Sequence, residues 1–389
     1  MDPELPVDAT TQDRESLAAL ADEALGRTPS AIDPIEPGLG TRRFYRLRFD
    51  AGDPPTLIGR IEGNHGPAAH RTSSETTDEL PAAPVWLAEP PLEPLRSFLE
   101  EAGLPVPQSY ARDPDRGIDL LEDVGDRTLA RARSDHRDAL YRDACSLIPR
   151  LQRLSAPASR IPAFGRVLDR ALIDIKGWKW LHWTMPGLLG RAATAAESGA
   201  IRATFGRIAS LVEAAPRRLA HRDFKAENLH LVPAHSIGSP AAKQRSGGGG
   251  PNRLVMIDFQ GAFMAPPEYD LVCLLYDLQV ELDEPLAQAL FRSTLAELPD
   301  APGLEEASLR FDAIATARLC KDVSHIVQAG LARGDRRRWR EIPRGLALLE
   351  RAVGRLGHTF PEAQTLFSVI HALTGELQSS DSESRGKPG

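Results

Sequence analysis

The chemistry in this chain is most visible in two short motifs. Residues 221–228 read His-Arg-Asp-Phe-Lys-Ala-Glu-Asn, and residues 257–260 read Ile-Asp-Phe-Gln. Asp223 is a candidate proton acceptor, and Asn228 and Asp258 offer the oxygen ligands that Mg²⁺ prefers. A base beside a metal site is the minimal equipment for moving a phosphoryl group from ATP. Either motif alone would also suit a helix end or a turn, but the pair in this order predicts phosphoryl transfer.

Two further charged residues are predicted to support this chemistry. Lys225 lies two residues beyond Asp223, where an ammonium group could offset the charge of the transferring γ-phosphate; the alternative is a solvent-exposed loop cation. Asp270 lies near the start of an otherwise apolar helix and is predicted to accept hydrogen bonds from the backbone of residues 221–228. Asp270 would then support the loop without reacting.

Length and composition fit a globular enzyme. The chain has 389 residues, 42% hydrophobic and 26% charged, enough to bury one large core or two lobes. A formal net charge of -7 argues against a general nucleic-acid binder. No run of about 18 apolar residues appears, and the acidic first residues lack a signal-peptide pattern, so we expect a cytoplasmic protein without a membrane span. The cysteines and histidines show no metal-ligand spacing and are assigned no chemistry.

The hydrophobic periodicity changes along the chain. Alternating runs indicate early strands at 32–48, 56–61 and 118–125, with helices at 13–25 and 92–103. Later spacing is mostly helical, at 134–155, 164–183, 189–214, 268–282, 284–298, 304–333 and 336–357, with strands near 229–232 and 253–257. The sequence therefore predicts an α+β fold with a small β-rich nucleotide-binding lobe at 1–124, a large mainly helical catalytic and substrate lobe at 125–375, and a disordered tail at 376–389.

The motifs, in their order, resemble a known family. They comprise a glycine-containing hairpin around residue 40, LLEDVGD at 120–126, HRDFKAENLHL at 221–231 and VMIDFQGAFMAPPEYDLVCLLYD at 255–277. They are similar to the aminoglycoside phosphotransferase and choline kinase superfamily, and most like its bacterial kinases that phosphorylate the anomeric hydroxyl of N-acetylmuramate or N-acetylglucosamine. The resemblance spans about residues 13–357. It implies a two-lobed, protein-kinase-like fold that uses ATP and Mg²⁺ on a small-molecule sugar substrate.

The motif at 221–228 is also close to the His-Arg-Asp-Leu-Lys-Pro-Glu-Asn of protein kinases. In those enzymes a long segment follows the metal-binding aspartate and docks the peptide substrate. Here only eleven residues separate Asp258 from Asp270, and Gln260 replaces the glycine of Asp-Phe-Gly. The comparison therefore implies a small-molecule acceptor.

The phosphate-binding side departs from the usual pattern. The first lysine of the chain is Lys176, so the small lobe has no lysine for the α- and β-phosphates. Arg60 lies on a comparable strand and is predicted to supply a forked, charge-assisted contact instead. A solvent-facing Arg60 is the alternative, and Arg43 and Arg46 in the hairpin are other candidates for the same contact.

Two backbone segments complete the predicted nucleotide site. Gly38 and Gly40 could let a hairpin backbone approach the phosphates and donate N–H groups, although a plain turn would also explain two nearby glycines. Glu122, Asp123 and Val124, at the lobe junction, are predicted to present backbone groups to adenine. Neither a Rossmann nor a Walker spacing is present.

The acceptor side is less specific. Arg318 and Lys321, one helical turn apart, are candidates either for an acidic substrate group such as a lactyl carboxylate or for support of the catalytic loop. Trp178, Trp180 and Trp183 could stack on a sugar ring or pack in the core.

Three functions remain open from the sequence. The first is a sugar kinase acting on an N-acetylated amino sugar, although residues 225–227 depart from the His-Arg-Asp-Tyr-His-Ser-Arg-Asn usual in those kinases. The second is an aminoglycoside or choline-type kinase. The third is a catalytically weak nucleotide-binding regulator, which the missing small-lobe lysine suggests and the intact Asp223, Asn228 and Asp258 oppose.

Overall fold

The computed structural model describes residues 7–36, 42–63, 90–157, 160–233 and 252–385. The chain forms two compact units. The first contains Met1–Glu75, Arg96–Arg127 and His230–Ile257, and the second contains Thr76–Leu95, Thr128–Leu229 and Asp258–Gly389. The sequence places a single division at Val124, whereas in the structure the distant segment 230–257 also groups with the first unit.

The first unit is built on a five-stranded antiparallel sheet in the order β1-β2-β3-β5-β4. Helix α1, Val7–Leu25, packs on one face through Leu17 and Leu20. Gly59 permits this approach, because a Cβ added there would lie 2.4 Å from Leu17 Cδ2. The strands are β1 Ala31–Ile35, β2 Arg43–Arg48, β3 Thr56–Ile61, β4 Ser109–Asp113 and β5 Ile118–Glu122, with the short helix α2, Leu95–Glu101, before β4.

Two pairs of short strands flank the predicted catalytic motifs. β6, Arg218–Ala220, pairs antiparallel with β9, Phe263–Ala265, and β7, Leu229–Pro233, pairs with β8, Asn252–Met256. Residues 221–228 link β6 to β7, and Asp258 follows β8 on the way to β9. Because β6 and β9 are hydrogen-bonded, the two motif-bearing loops begin or end next to one another. The sequence predicts β7 and β8 but not β6 and β9, since a strand of three residues is too short to show a period.

The second unit is mainly helical. Its helices are α3 Ser134–Gln152, α4 Arg170–Lys179, α5 Met185–Leu189, α6 Ala195–Ala214, α7 Tyr269–Leu275, α8 Glu284–Leu295, α9 Leu304–Arg333, α10 Ile342–Leu356 and α11 Ala363–Arg385. A π-helical turn, Trp180–Thr184, joins α4 to α5. The long helix α9 is buried along much of its length and ends at Gly334, whose φ of 70° suits a helix C-terminus. None of the helices in the described residues is long and apolar enough to cross a membrane.

Helix α11 shows where the sequence-based organisation and the structure differ. No helix was expected after residue 357, and a disordered tail was predicted from residue 376. The structure has helix at 363–385, whereas residues 386–389 lie outside the described part. Leu366, Val369, Ile370 and Leu373 are buried along one side of this helix. Their i, i+3, i+4, i+7 spacing is a signal that could have revealed it.

Candidate active site

Asp270 holds the backbone of the predicted catalytic loop. Its buried carboxylate accepts hydrogen bonds from the backbone N–H groups of His221, at 2.8 Å, and of Arg222, at 3.2 Å. Burial raises the pKa of Asp270 to about 7, although the two N–H donors favour the ionised carboxylate. Two hydrogen bonds thus join α7 to the loop that follows β6.

The loop is fixed in an uncommon conformation at Arg222. Its φ of 80° lies in the left-handed region that residues other than glycine rarely adopt. The carbonyl of Arg222 accepts a hydrogen bond from Arg318 Nη1 at 3.1 Å and another from Cys273 Sγ at 3.4 Å. Such a conformation costs about 1–3 kcal/mol and persists only where the surroundings hold it. Contacts on the N–H and on the carbonyl of Arg222 therefore fix the orientation of the next residue, Asp223.

Asp223 combines accessibility with a stable negative charge. Its side chain is 39% exposed, and its Oδ1 lies 3.3 Å from Arg318 Nη2. Burial by itself would raise the pKa of Asp223, but the positive charges of Arg318, Lys321 and Lys225 outweigh it and hold that pKa well below its usual range. At neutral pH the side chain is an ionised carboxylate within reach of solvent, as a proton acceptor requires.

Asn228 and Asp258 lie side by side. Asn228 Nδ2 donates to the backbone carbonyl of Asp223 at 2.9 Å and lies 3.5 Å from Asp258 Oδ2. Asp258, whose φ is 63°, receives a hydrogen bond on Oδ1 from Gln260 Nε2 at 2.7 Å. Adjacent oxygen ligands of Mg²⁺ are about 2.9 Å apart, because each lies about 2.0–2.1 Å from the ion. The 3.5 Å distance joins the amide nitrogen to Asp258 and is not a spacing between ligand oxygens. The fit to magnesium therefore rests on the donor set, one amide oxygen and one carboxylate on neighbouring side chains.

Two positioning residues were missed by sequence reasoning. Gln260 was noted only as a departure from Asp-Phe-Gly, yet it orients the Asp258 carboxylate. Asp277 accepts a hydrogen bond from the Ala226 N–H at 3.2 Å and so anchors the 3₁₀ turn Ala226–Asn228. Asp277 follows Asp270 by seven residues, about two helical turns, and this spacing is a signal that could have been used.

The three predicted cations near Asp223 differ in their contacts. Arg318 is buried and donates hydrogen bonds to the catalytic loop. These contacts suit support of the loop better than binding of an acidic substrate group. Lys321 is 24% exposed and pairs with Asp322 at 2.6 Å. Lys225 is half-buried, and its ammonium group has no hydrogen-bond or ion-pair partner within the described part of the chain. Lys225 is thus placed to meet a ligand, Lys321 is partly exposed beside Asp322, and Arg318 is engaged by the protein.

In the first unit, Arg60 is paired with two carboxylates. Its buried guanidinium donates to Asp119 at 2.6 Å through Nη1 and pairs with Glu62 through Nη2. The two alternatives, Arg43 and Arg46, are likewise paired with aspartates. Asp119 is also bound by Arg112 and Glu62 by Arg42, so these two carboxylates are shared among three arginines. Phosphate binding by Arg60 stays a prediction.

The remaining nucleotide-site predictions concern backbone groups. The side chains of Glu122 and Asp123 are each held by an arginine of the first unit. Val124 packs with Val232 and Val255 in a small apolar cluster. Presentation of backbone groups to adenine stays a prediction, and Gly38 and Gly40 lie outside the described residues.

Comparison with known proteins agrees with this geometry. Residues 94–238 match the model of the Phosphotransferase enzyme family, APH. The chain is 27% identical over 302 residues to an N-acetylmuramate/N-acetylglucosamine kinase of Pseudomonas putida, covering 74% of this chain and 80% of that protein. A protein of the same name from Pseudomonas aeruginosa is 28% identical over 306 residues, covering 74% and 81%.

The fold is also similar to that of a solved structure. A choline/ethanolamine kinase family protein from Mesorhizobium loti superposes with a TM-score of 0.55 at 15% identity, covering 93% of this chain and 98% of that one. The family match over residues 94–238 and the two Pseudomonas relatives identify the protein as a phosphotransferase. The resemblance drawn from the motifs is confirmed, as is the α+β class with a small β-rich part and a larger helical part.

Proposed function

We propose that the protein transfers the γ-phosphate of ATP to a sugar hydroxyl, specifically the anomeric hydroxyl of an N-acetylated amino sugar. The observation that carries the proposal is the convergence of Asp223, Asn228 and Asp258. The Asn228 amide contacts both the backbone of Asp223 and the carboxylate of Asp258, so a base and an oxygen-ligand pair share one small region of the second unit. Sugar specificity is supported by the names of the two Pseudomonas relatives.

Asp223 acts as the proton acceptor. Its carboxylate is ionised and exposed, so it can accept a hydrogen bond from the acceptor hydroxyl and orient that oxygen toward phosphorus. Phosphoryl transfer passes through a loose transition state, in which an ordinary carboxylate is basic enough and positioning is the larger contribution. The rigid backbone at Arg222 supplies that positioning.

Asn228 and Asp258 would hold Mg²⁺. When bound, the ion would supply positive charge that offsets the negative charge of the phosphates. The contribution of the protein is to keep the two ligands aligned, through Gln260 on Asp258 and through the Asp277 anchor on the turn that carries Asn228.

Lys225 supplies positive charge to the transferring phosphate. Lys225 lies two residues beyond Asp223, so its charge can reach the γ-phosphate whatever Arg60 contributes. Lys225 has no protein partner among the described residues and is followed by the turn that carries Asn228.

In the nucleotide-binding part of the proposal, adenine is bound by the backbone groups of residues 122–124.

The proposal is tested by incubating the protein with Mg-ATP and a panel of N-acetylated sugars, aminoglycosides and choline. ADP release identifies the acceptor, and phosphorus NMR shows whether the new phosphate is on the anomeric oxygen. Nucleotide binding with no transfer to any compound would support the regulator instead. Transfer to choline or aminoglycosides alone would overturn the sugar assignment.

A further inference from the structure

One face of the second unit carries a concentration of lysine and aromatic side chains. We call it the basic face and define it by Lys176, Lys179, Trp183, Lys321 and His325. The first three belong to α4 and the π-helical turn, and the last two to α9. The two elements meet here, because Lys179 Nζ lies 2.8 Å from His325 Nε2 and the ring centroids of Trp183 and His325 are 5.8 Å apart.

Carboxylates match only part of the positive charge of the basic face. Within the described residues, neither Lys176 nor Lys179 has an ion-pair partner, and Asp322, which pairs with Lys321 at 2.6 Å, is shared with Arg318 at 3.5 Å. Burial, followed by the neighbouring cations, lowers the pKa of Lys176 to about 7 and that of Lys179 to about 8. A bound anion would relieve this crowding, because a nearby negative charge favours protonated lysine.

The basic face is close to the catalytic loop. Arg318, which contacts Asp223 at 3.3 Å and Asp322 at 3.5 Å, forms the link between them. Along α9, Arg318 and His325 lie on one side, about 10 Å apart at 1.5 Å per residue. That separation suits a substituted monosaccharide whose reacting hydroxyl is held at Asp223 and whose far substituent meets the basic face.

The three tryptophans, for which the sequence allows either sugar stacking or core packing, differ in their burial. Trp180 is fully buried in the core, whereas Trp178 and Trp183 are half-buried. Trp178 stacks on His182 with ring centroids 4.3 Å apart, and its ring meets that of Trp183 edge-on at 5.9 Å. The ammonium of Lys179 lies 5.1 Å from the Trp183 ring. A partly exposed ring offers an apolar surface on which a sugar ring can pack, and the neighbouring ammonium can meet an acidic group on that sugar.

We propose that the basic face is the subsite for an anionic substituent of the acceptor, with Lys179 and Lys321 contacting the charge and Trp183 packing against the sugar ring. The inference rests on the proposed sugar kinase function and narrows it to sugars bearing a carboxylate or a phosphate. Cationic acceptors are disfavoured here, because like charges at a recognition surface oppose binding.

The test measures kcat and KM for N-acetylmuramate, which carries a carboxylate, for N-acetylglucosamine, which does not, and for its 6-phosphate. Lys179→Met and Lys321→Met keep the aliphatic stem and remove the charge. Each is expected to raise KM for the anionic sugars roughly 10- to 100-fold, the loss typical of a hydrogen bond to a charged group. Lys179→Met is expected to change the KM for the neutral sugar little. Arg337→Met is the matched control, since it removes a charge from a side chain that is 68% exposed.

The outcomes separate this inference from the proposed function. Selective loss on the carboxylated or on the phosphorylated sugar identifies which anion the subsite takes. Equal loss on charged and neutral sugars, or no loss, overturns the subsite. If the unmodified protein phosphorylates no sugar, the proposed function fails, and the subsite is then tested by calorimetric titration of the sugars without nucleotide. Tighter binding of an anionic sugar than of the neutral sugar, with this difference lost in Lys179→Met, supports the subsite. Equal binding of the charged and neutral sugars rejects it.

Discussion

Replacing Asp270 by asparagine tests how the catalytic loop is held. The substitution keeps the shape of the side chain but removes its charge and one of its two acceptor oxygens. In the structure those oxygens accept the N–H groups of His221 and Arg222 at 2.8 and 3.2 Å. In Asp270→Asn one N–H is left facing an amide NH₂, and the support for the φ of 80° at Arg222 is weakened.

Two effects of opposite sign follow for stability. A buried N–H without a partner costs about 1–3 kcal/mol at any pH. The folded-state pKa of Asp270, about 7, is above its ordinary 3.8, so its contribution to stability is fully present below about pH 4 and is lost as pH rises through 7. The difference between the folded-state pKa and the ordinary pKa corresponds to at most roughly 4 kcal/mol of unfolding free energy. Asparagine does not titrate, so the deficit of the variant should be largest near pH 5 and should shrink or reverse by pH 8.

The assay is urea unfolding of both proteins at intervals between pH 5 and pH 8.5, combined with kcat measured over the same range. We expect kcat to fall about 100-fold throughout, since small misplacement of a catalytic group has that cost. A stability difference that does not change with pH would refute the assignment of this titration to Asp270. An unchanged kcat would show that the two hydrogen bonds do not position Asp223.

Three further substitutions address separate parts of the site. Asp223→Asn should lower kcat by about 10²- to 10⁴-fold while calorimetry shows unchanged nucleotide affinity; an unaltered rate would remove Asp223 from the mechanism. Arg318→Met should lower kcat and raise the pKa of Asp223, because both the Arg222 carbonyl contact and the strongest neighbouring charge are lost. Arg318→Lys restores the charge but not the forked contact, so partial recovery of kcat at low pH would assign the loss to charge, and no recovery would assign it to geometry. Gln260→Ala should raise the Mg²⁺ concentration for half-maximal rate about 10- to 100-fold by releasing Asp258, and equal metal dependence would exclude this role.

The sequence was most informative where one local pattern is sufficient. Helix α9 has the bounds 304–333 that its periodicity predicts, because a long buried helix repeats its apolar spacing many times. Strands β6 and β9 could not be foreseen, since each is short and is stabilised only by pairing with the other across a long stretch of chain. Helix α11 had an apolar pattern that was overlooked next to its polar C-terminal residues.

The site divides in the same way. Residue types and spacing determined the class of chemistry, because Asp223, Asn228 and Asp258 carry their acid–base and ligand properties wherever they are placed. Only the tertiary structure decided which residues position them, since Gln260, Asp277 and Arg318 act through contacts between segments distant in sequence. The same holds for charge: only the structure shows that Arg60 is paired with Asp119, on the neighbouring strand, and with Glu62. Whether a charged side chain has an ion-pair partner depends on which residues lie beside it, and the fold determines those residues.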